Sequence, residues 1–193
     1  MIQNNSSNSD NVSSSSDVQL KSVEHPTQSL DWLTRLIAFD TVSRHSNLAL
    51  INDVKSYCEQ LGLTVDLTFN EAKTKANLFV TVPAGENADI INNGLVLSGH
   101  TDVVPVDGQA WSSEPFTATI RGDKLYGRGA CDMKGFIAIC IAMAPEFARA
   151  ATDRPIHFAF TYDEETGCLG AKELARHLAD RDDRPSLAII GEP

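Results

Sequence analysis

The sequence predicts an α/β fold, a mixed and partly parallel β-sheet flanked by helices. Three observations carry that expectation. From Gly94 onward the long apolar and amphipathic runs read strand, helix, strand, helix, strand, the order in which crossover units build a parallel sheet. Short strand-like runs and a hairpin add antiparallel neighbours, which makes the sheet mixed. With 193 residues, 42% of them hydrophobic, the chain can fill one core but hardly two.

The elements follow in order. Residues 1–28 read as a tail: the first sixteen, MIQNNSSNSDNVSSSS, contain seven Ser and four Asn, with no Lys, Arg or apolar run. They are neither a secretory signal nor a core-forming segment, and a disordered tail is expected. Residues 29–193 form the folded unit. SLDWLTRLIAFD puts Leu30, Leu33, Leu36 and Ile37 on one helical face with Ser29 as cap, and NLALINDVKSYCEQLG repeats the pattern up to a stop at Gly62. Strands are expected at 63–69, 77–82 and 94–99, and a hairpin in FTATIRGDKLYG turning at Gly122 and Asp123. A helix over 134–148, a strand over 155–162, a helix over 169–179 and a strand over 186–191 complete the chain.

Composition excludes several function classes. A formal charge of -10, with only 16 basic residues spread thinly, argues against a nucleic-acid partner. The longest apolar run, FIAICIAMA (136–144), is about half of a bilayer span and ends at Pro145, so no membrane segment is expected. Cysteines 58, 131, 140 and 168 form no CxxC pair and suit free thiols in a reducing, cytoplasmic compartment.

Open α/β sheets bind ligands at the carboxyl ends of their strands. Three apolar strands here run into acid or imidazole there: 94–99 into His100 and Asp102, 155–162 into Asp163, Glu164 and Glu165, and 186–190 into Glu192. Asp132 lies between the hairpin and the long helix. Singly, each has a structural reading: HTD as a loop, Asp132 as a helix cap, Glu164 and Glu165 as a solvated turn, Glu192 as an uninformative end. Their common address favours a site, and such a cluster repels itself unless protons or cations neutralise it. A pair of divalent metal ions is the economical resolution.

Other chemistries fit less well. YGRGACDMKG carries Asp132 where the third glycine of a dinucleotide fingerprint would stand, and Lys134 precedes its glycine instead of following it as in a P-loop. Cys131 and Cys168 have no evident base partner and read as packed thiols. His25 belongs to the tail, His45 to a loop, His157 to a strand interior and His177 to a helix end.

The segments SGHTDVVPVDGQAW, LYGRGACDMKG, DEETGCLGA and GEP occur in that order. Together they resemble the amidohydrolase family that includes acetylornithine deacetylase, succinyl-diaminopimelate desuccinylase and the aminoacylases, from about Ser29 to the last residue. DEETGCLGA is most similar to the acetylornithine deacetylase branch. The resemblance implies a zinc-exopeptidase-like catalytic domain, here incomplete, with two divalent ions, zinc first and cobalt or manganese as alternatives. It implies that His100 and Glu192 hold one ion, Glu165 the other, that Asp132 bridges both, that Asp102 accepts the other N–H of His100, and that Glu164 is the general base. Adjacent residues on an extended backbone point to opposite sides, so Glu164 and Glu165 are expected to diverge.

The branch implies a small N-acylated amino acid as partner, N2-acetyl-L-ornithine, cleaved to ornithine and acetate in arginine biosynthesis. Desuccinylation and general acylamino-acid hydrolysis stand as alternatives, as does a non-catalytic metal-binding or interaction fragment. Family members also carry a further histidine ligand and a dimerising lid domain, which this sequence lacks. The resemblance therefore implies an N-terminal piece of a homodimeric enzyme, with the substrate-binding residues unassigned.

Overall fold

A computed structural model describes residues 25, 26, 28–85, 94–150, 152–182 and 184–193; most of the Ser/Asn-rich tail lies outside them. The elements are α1 (Ser29–Ile37), α2 (Leu48–Gln60), β1 (Thr64–Phe69), β2 (Ala76–Val82), β3 (Leu95–His100), β4 (Thr119–Arg121), β5 (Lys124–Tyr126), a π-helical turn (Ala130–Lys134), α3 (Gly135–Ala150), β6 (Ile156–Thr161), α4 (Leu169–Ala179) and β7 (Leu187–Ile190). β4 and β5 form the expected hairpin. The other five strands make one sheet in the order β1-β2-β6-β3-β7. β1, β2 and β6 are antiparallel neighbours, whereas β6, β3 and β7 run parallel, so the sheet is mixed as predicted.

Side chains alternate across this sheet because strand residues point to opposite faces in turn. Leu78, Val80 and Val82 of β2 and Phe158 and Phe160 of β6 pack with α1, α2 and α3 in the main core. Phe79 and Ala159 point the other way, onto Leu174 of α4. Parallel pairing aligns the carboxyl ends of β3 and β6, with His100 opposite Thr161. β7 stops beside them, where the Gly191 amide donates to the Ser98 carbonyl at 3.0 Å.

Several local expectations need correcting. Ser29 is the first residue of α1, and Gln28 occupies the cap position without a side-chain bond. The helix turns Trp32, Leu36 and Ile37 inward, while Leu30 is half exposed, because the large indole wins the buried position. His25 is not a tail residue in its contacts: its ring stacks on Trp32 and lies near Tyr57 and Asp53. α3 runs through Pro145 to Ala150. Cys131 is exposed and not packed, although Cys58 and Cys140 are buried.

Candidate metal centre

His100 ends β3, and its ring is 1% exposed. Its Nδ1 lies 2.8 Å from the main-chain carbonyl of Asp102. A carbonyl oxygen only accepts, so Nδ1 carries the hydrogen and Nε2 is the atom presented to the site. The Asp102 carboxylate, expected to be that acceptor, stands farther off at 3.5 Å. Its oxygens are used elsewhere: the Ser43 hydroxyl donates to it at 2.6 Å, and the Glu164 and Glu165 amides donate at 3.0 and 3.3 Å. Asp102 thus aims His100 through its backbone and holds the acidic turn through its side chain.

Three loops bring carboxylates to Nε2. Asp132 Oδ1 lies at 3.0 Å, Glu192 Oε1 at 3.5 Å and Glu164 Oε2 at 3.8 Å. Two ligand sets share the imidazole: His100 with Asp132 and Glu165, and His100 with Glu164 and Glu192, each with its ligand atoms within 4.8 Å of one another. All six residues singled out in the sequence converge here. Asp132 is not the cap of α3; it has an extended conformation inside the π-helical turn and faces His100.

Glu164 and Glu165 do not diverge. Asp163 adopts a left-handed conformation at φ 54°, and the chain then curls so that the Gly167 and Cys168 amides donate to the Glu164 carbonyl. In a turn the strand alternation lapses, and both carboxylates reach the cluster. Cys168, half-buried, has its thiol 3.4 Å from Glu164 Oε1.

Close approaches explain two glycines of the motifs. Gly129 has φ 78°, and a Cβ there would lie 2.6 Å from Val103, so only glycine lets the Asp132 loop pass the HTDV segment. A Cβ on Gly191 would fall 2.1 Å from the Phe136 ring, which is how the end of β7 comes near enough to deliver Glu192. Lys134 follows from the same packing. Its fully buried ammonium donates to the Leu36 and Phe39 carbonyls at 3.0 and 2.8 Å, tying α1 to the Asp132 loop. Burial brings it down to about 7, against the opposing pull of Asp40.

The electrostatics suit a cation. Burial lowers the affinity of His100 for a proton, but Asp102 and then Glu192 outweigh it and carry the imidazole up to about 9. Burial, with Asp132 adding repulsion, raises the Glu165 carboxyl; burial also raises Glu192, where His100 opposes and Asp132 and Glu164 add to the rise. Among the described residues, none of Asp132, Glu164, Glu165 and Glu192 forms an ion pair with Lys or Arg. One imidazole among uncompensated carboxylates is a donor set that fits a borderline divalent ion such as zinc.

Residues 96–193, which hold the whole cluster, match peptidase family M20/M25/M40. The chain belongs to that family. It is 40% identical over 157 residues to the acetylornithine deacetylase of Proteus mirabilis (strain HI4320), covering 81% of this chain and 38% of that protein. It is 37% identical over 171 residues to the acetylornithine deacetylase of Photorhabdus laumondii, covering 85% and 42%. The chain therefore spans about two fifths of the length of these relatives. Human carnosine dipeptidase 1 shares the fold, with a TM-score of 0.70 at 22% identity over 86% of this chain and 38% of that one. So does an M20 family metallo-carboxypeptidase from Sulfolobus solfataricus, with 0.70 at 20% identity over 84% and 37%.

Sequence reasoning reached the residues that cluster around His100 but missed Ser43, Lys75 and the burial of Lys134. Ser43 and Lys75 lie in loops with no motif of their own. Nothing in the local sequence marks Lys134 as buried; its burial follows from tertiary packing.

Proposed function

We propose that residues 29–193 form part of the catalytic domain of a metal-dependent amide hydrolase that removes the acetyl group from N2-acetyl-L-ornithine. The observation that carries this reading is the convergence of Asp132, Glu164, Glu165 and Glu192 on the Nε2 side of one buried histidine. In this reading His100 and Glu192 would hold one ion, Glu165 would hold the second, and Asp132 would serve both. Zinc is the first candidate, and cobalt and manganese suit the same donors. Two bound divalent ions would polarise the acetyl carbonyl and make a water acidic near neutral pH.

Glu164 then acts as general base. It takes a proton from the attacking water, the water oxygen bonds to the acetyl carbon, the C–N bond breaks, and Glu164 returns the proton to the leaving nitrogen, giving acetate and ornithine. Glu164 also stands within reach of His100 and Glu192, so its role must be separated from ligation by experiment. The substrate is supported by the likeness to relatives named acetylornithine deacetylase at 37–40% identity. We read the whole protein as a homodimer of a reducing, cytoplasmic compartment, in keeping with its free cysteines.

The test is amine release by the intact zinc-loaded protein from N2-acetyl-L-ornithine, N-succinyl-diaminopimelate and a set of N-acetyl amino acids. Preference for acetylornithine is expected. Preference for the succinyl compound would overturn the substrate, and no hydrolysis of any member would overturn the reaction.

A further inference from the structure

The turn that carries Glu164 and Glu165 is held from two sides by residues outside every motif. β6 ends at Thr161, and the two amides that open the turn leave the sheet ladder. Each donates to Asp102, Glu164 N to Oδ1 and Glu165 N to Oδ2. The Asp102 carboxylate is 3% exposed, so its position depends on what else it meets, His100 Nδ1 at 3.5 Å and, closer, the Ser43 hydroxyl at 2.6 Å. On the other side of the turn, Lys75 from the β1–β2 connection grips both oxygens of Asp163 at 2.5 and 2.7 Å. Asp163 is the left-handed residue that bends the chain out of β6, a conformation that a non-glycine residue keeps only where its surroundings enforce it.

The two sides are one ring. The Lys75 ammonium also donates to the Ser43 carbonyl, and the Ser43 amide donates to the Val103 carbonyl at 3.2 Å. Ser43, Asp102, the Glu164–Glu165 turn, Asp163 and Lys75 therefore close on themselves. The Lys75 and Asp163 side chains are only 14% and 12% exposed, which screens their pairing less than a surface contact. Lys75 also balances the Asp163 charge beside a cluster that carries five other carboxylates, those of Asp102, Asp132, Glu164, Glu165 and Glu192. The Ser43 hydroxyl and the Lys75 ammonium bond to Asp102, Asp163 and a main-chain carbonyl, and not to His100, Asp132 or Glu192.

We propose that Ser43 and Lys75 are positioning residues that fix the Glu164–Glu165 turn, so that both carboxylates face His100 instead of diverging. This inference rests on the proposed metal site for its chemical meaning, while the brace itself is testable without metal. Ser43→Ala removes the hydroxyl side and Lys75→Met the ammonium side; Lys75→Arg retains a cation that can still reach Asp163. Hydrogen exchange is followed in the metal-free protein for the segment 163–168 and, as reference, for β2 and β6. Cobalt(II) is then titrated and its visible spectrum recorded.

In both deletion variants, exchange of 163–168 is expected to quicken about tenfold while the reference strands keep their protection. Cobalt affinity is expected to fall about tenfold with an altered spectrum, as when groups behind metal ligands are removed. Lys75→Arg should restore both quantities. Unchanged exchange and affinity in two folded variants would overturn the inference. Uniform loss of protection across turn and strands, unrelieved by arginine, would also overturn it, since that marks a merely structural role. If the unaltered protein takes up no cobalt, the proposed function fails, and the exchange of 163–168 still decides the brace.

Discussion

Replacing Asp102 with Asn separates its two jobs. The main-chain carbonyl that accepts from His100 Nδ1 is retained, so the imidazole keeps its direction. The side chain changes from two acceptor oxygens to one oxygen and one NH2. Three donors now face it, the Ser43 hydroxyl and the Glu164 and Glu165 amides. Serine can turn its hydroxyl and accept, but one backbone amide must then face an NH2 at a side chain only 3% exposed. A lost hydrogen bond to a buried charge together with an unsatisfied donor costs roughly 2–4 kcal/mol. For a domain of this size, that is a fall in melting temperature of roughly 5–15 °C. Burial raises the Asp102 carboxyl, but His100, Ser43 and the Glu164 amide together hold it below its usual value. A lowered carboxyl gives stability that is present above about pH 4 and lost as the pH falls through the folded value. The gap between Asp102→Asn and the unaltered protein should therefore be full at pH 7 and close at acid pH. Thermal unfolding of metal-free protein by circular dichroism measures it. A melting temperature within about 1 °C of the unaltered protein at pH 7 would refute the role assigned to the carboxylate, because even one lost charged bond exceeds that.

Glu164→Gln should lower hydrolysis by the intact protein about 10²–10⁴-fold while zinc content holds; equal loss of zinc would make Glu164 a ligand and not the base. In metal-free protein His100 keeps its proton up to about pH 9, so zinc uptake at pH 7.5 should expel about one proton, read from calorimetric heats in buffers of different ionisation enthalpy. The sign for stability is opposite to that of Asp102: the contribution of His100 is complete below about pH 6.5 and lost as the pH rises through about 9, and heats that do not vary with buffer would contradict the assignment. Gly129→Ala should cost about 2 kcal/mol or more in urea unfolding, because a Cβ at φ 78° would meet Val103 at 2.6 Å; an unchanged midpoint would show that the Asp132 loop can shift.

The parts of the site legible in the sequence are those written at strand ends. His100, Glu165 and Glu192 follow apolar runs directly, and parallel pairing carries them to one edge of the sheet. Asp132 was legible as a candidate because its glycine-rich surroundings marked a loop, but its conformation was not, since the same residue before a helix suits a cap. The direction of Glu164 was misread because alternation holds only while the backbone is extended, and nothing local marks Asp163 as left-handed. Ser43 and Lys75 were invisible for a different reason. They reach the site across 59 and 88 residues of sequence, through contacts that exist only once the sheet has formed. In α1 the periodicity gave the core-facing side at Leu33, Leu36 and Ile37, but Leu30 is half exposed and Trp32, outside the predicted face, is buried.

The proposed site holds two cations, with His100 serving one ion through Nε2 and Asp132 serving both. Zinc bound after equilibrium dialysis, measured by elemental analysis on the unaltered protein and on His100→Ala and Asp132→Ala, tests it most directly. Up to two equivalents per chain are expected for the unaltered protein, with the Glu165-side ion held more weakly. One ion should be lost in His100→Ala and both in Asp132→Ala. Two equivalents retained in Asp132→Ala, or no zinc bound by the unaltered protein at any concentration below a millimolar order, would contradict it.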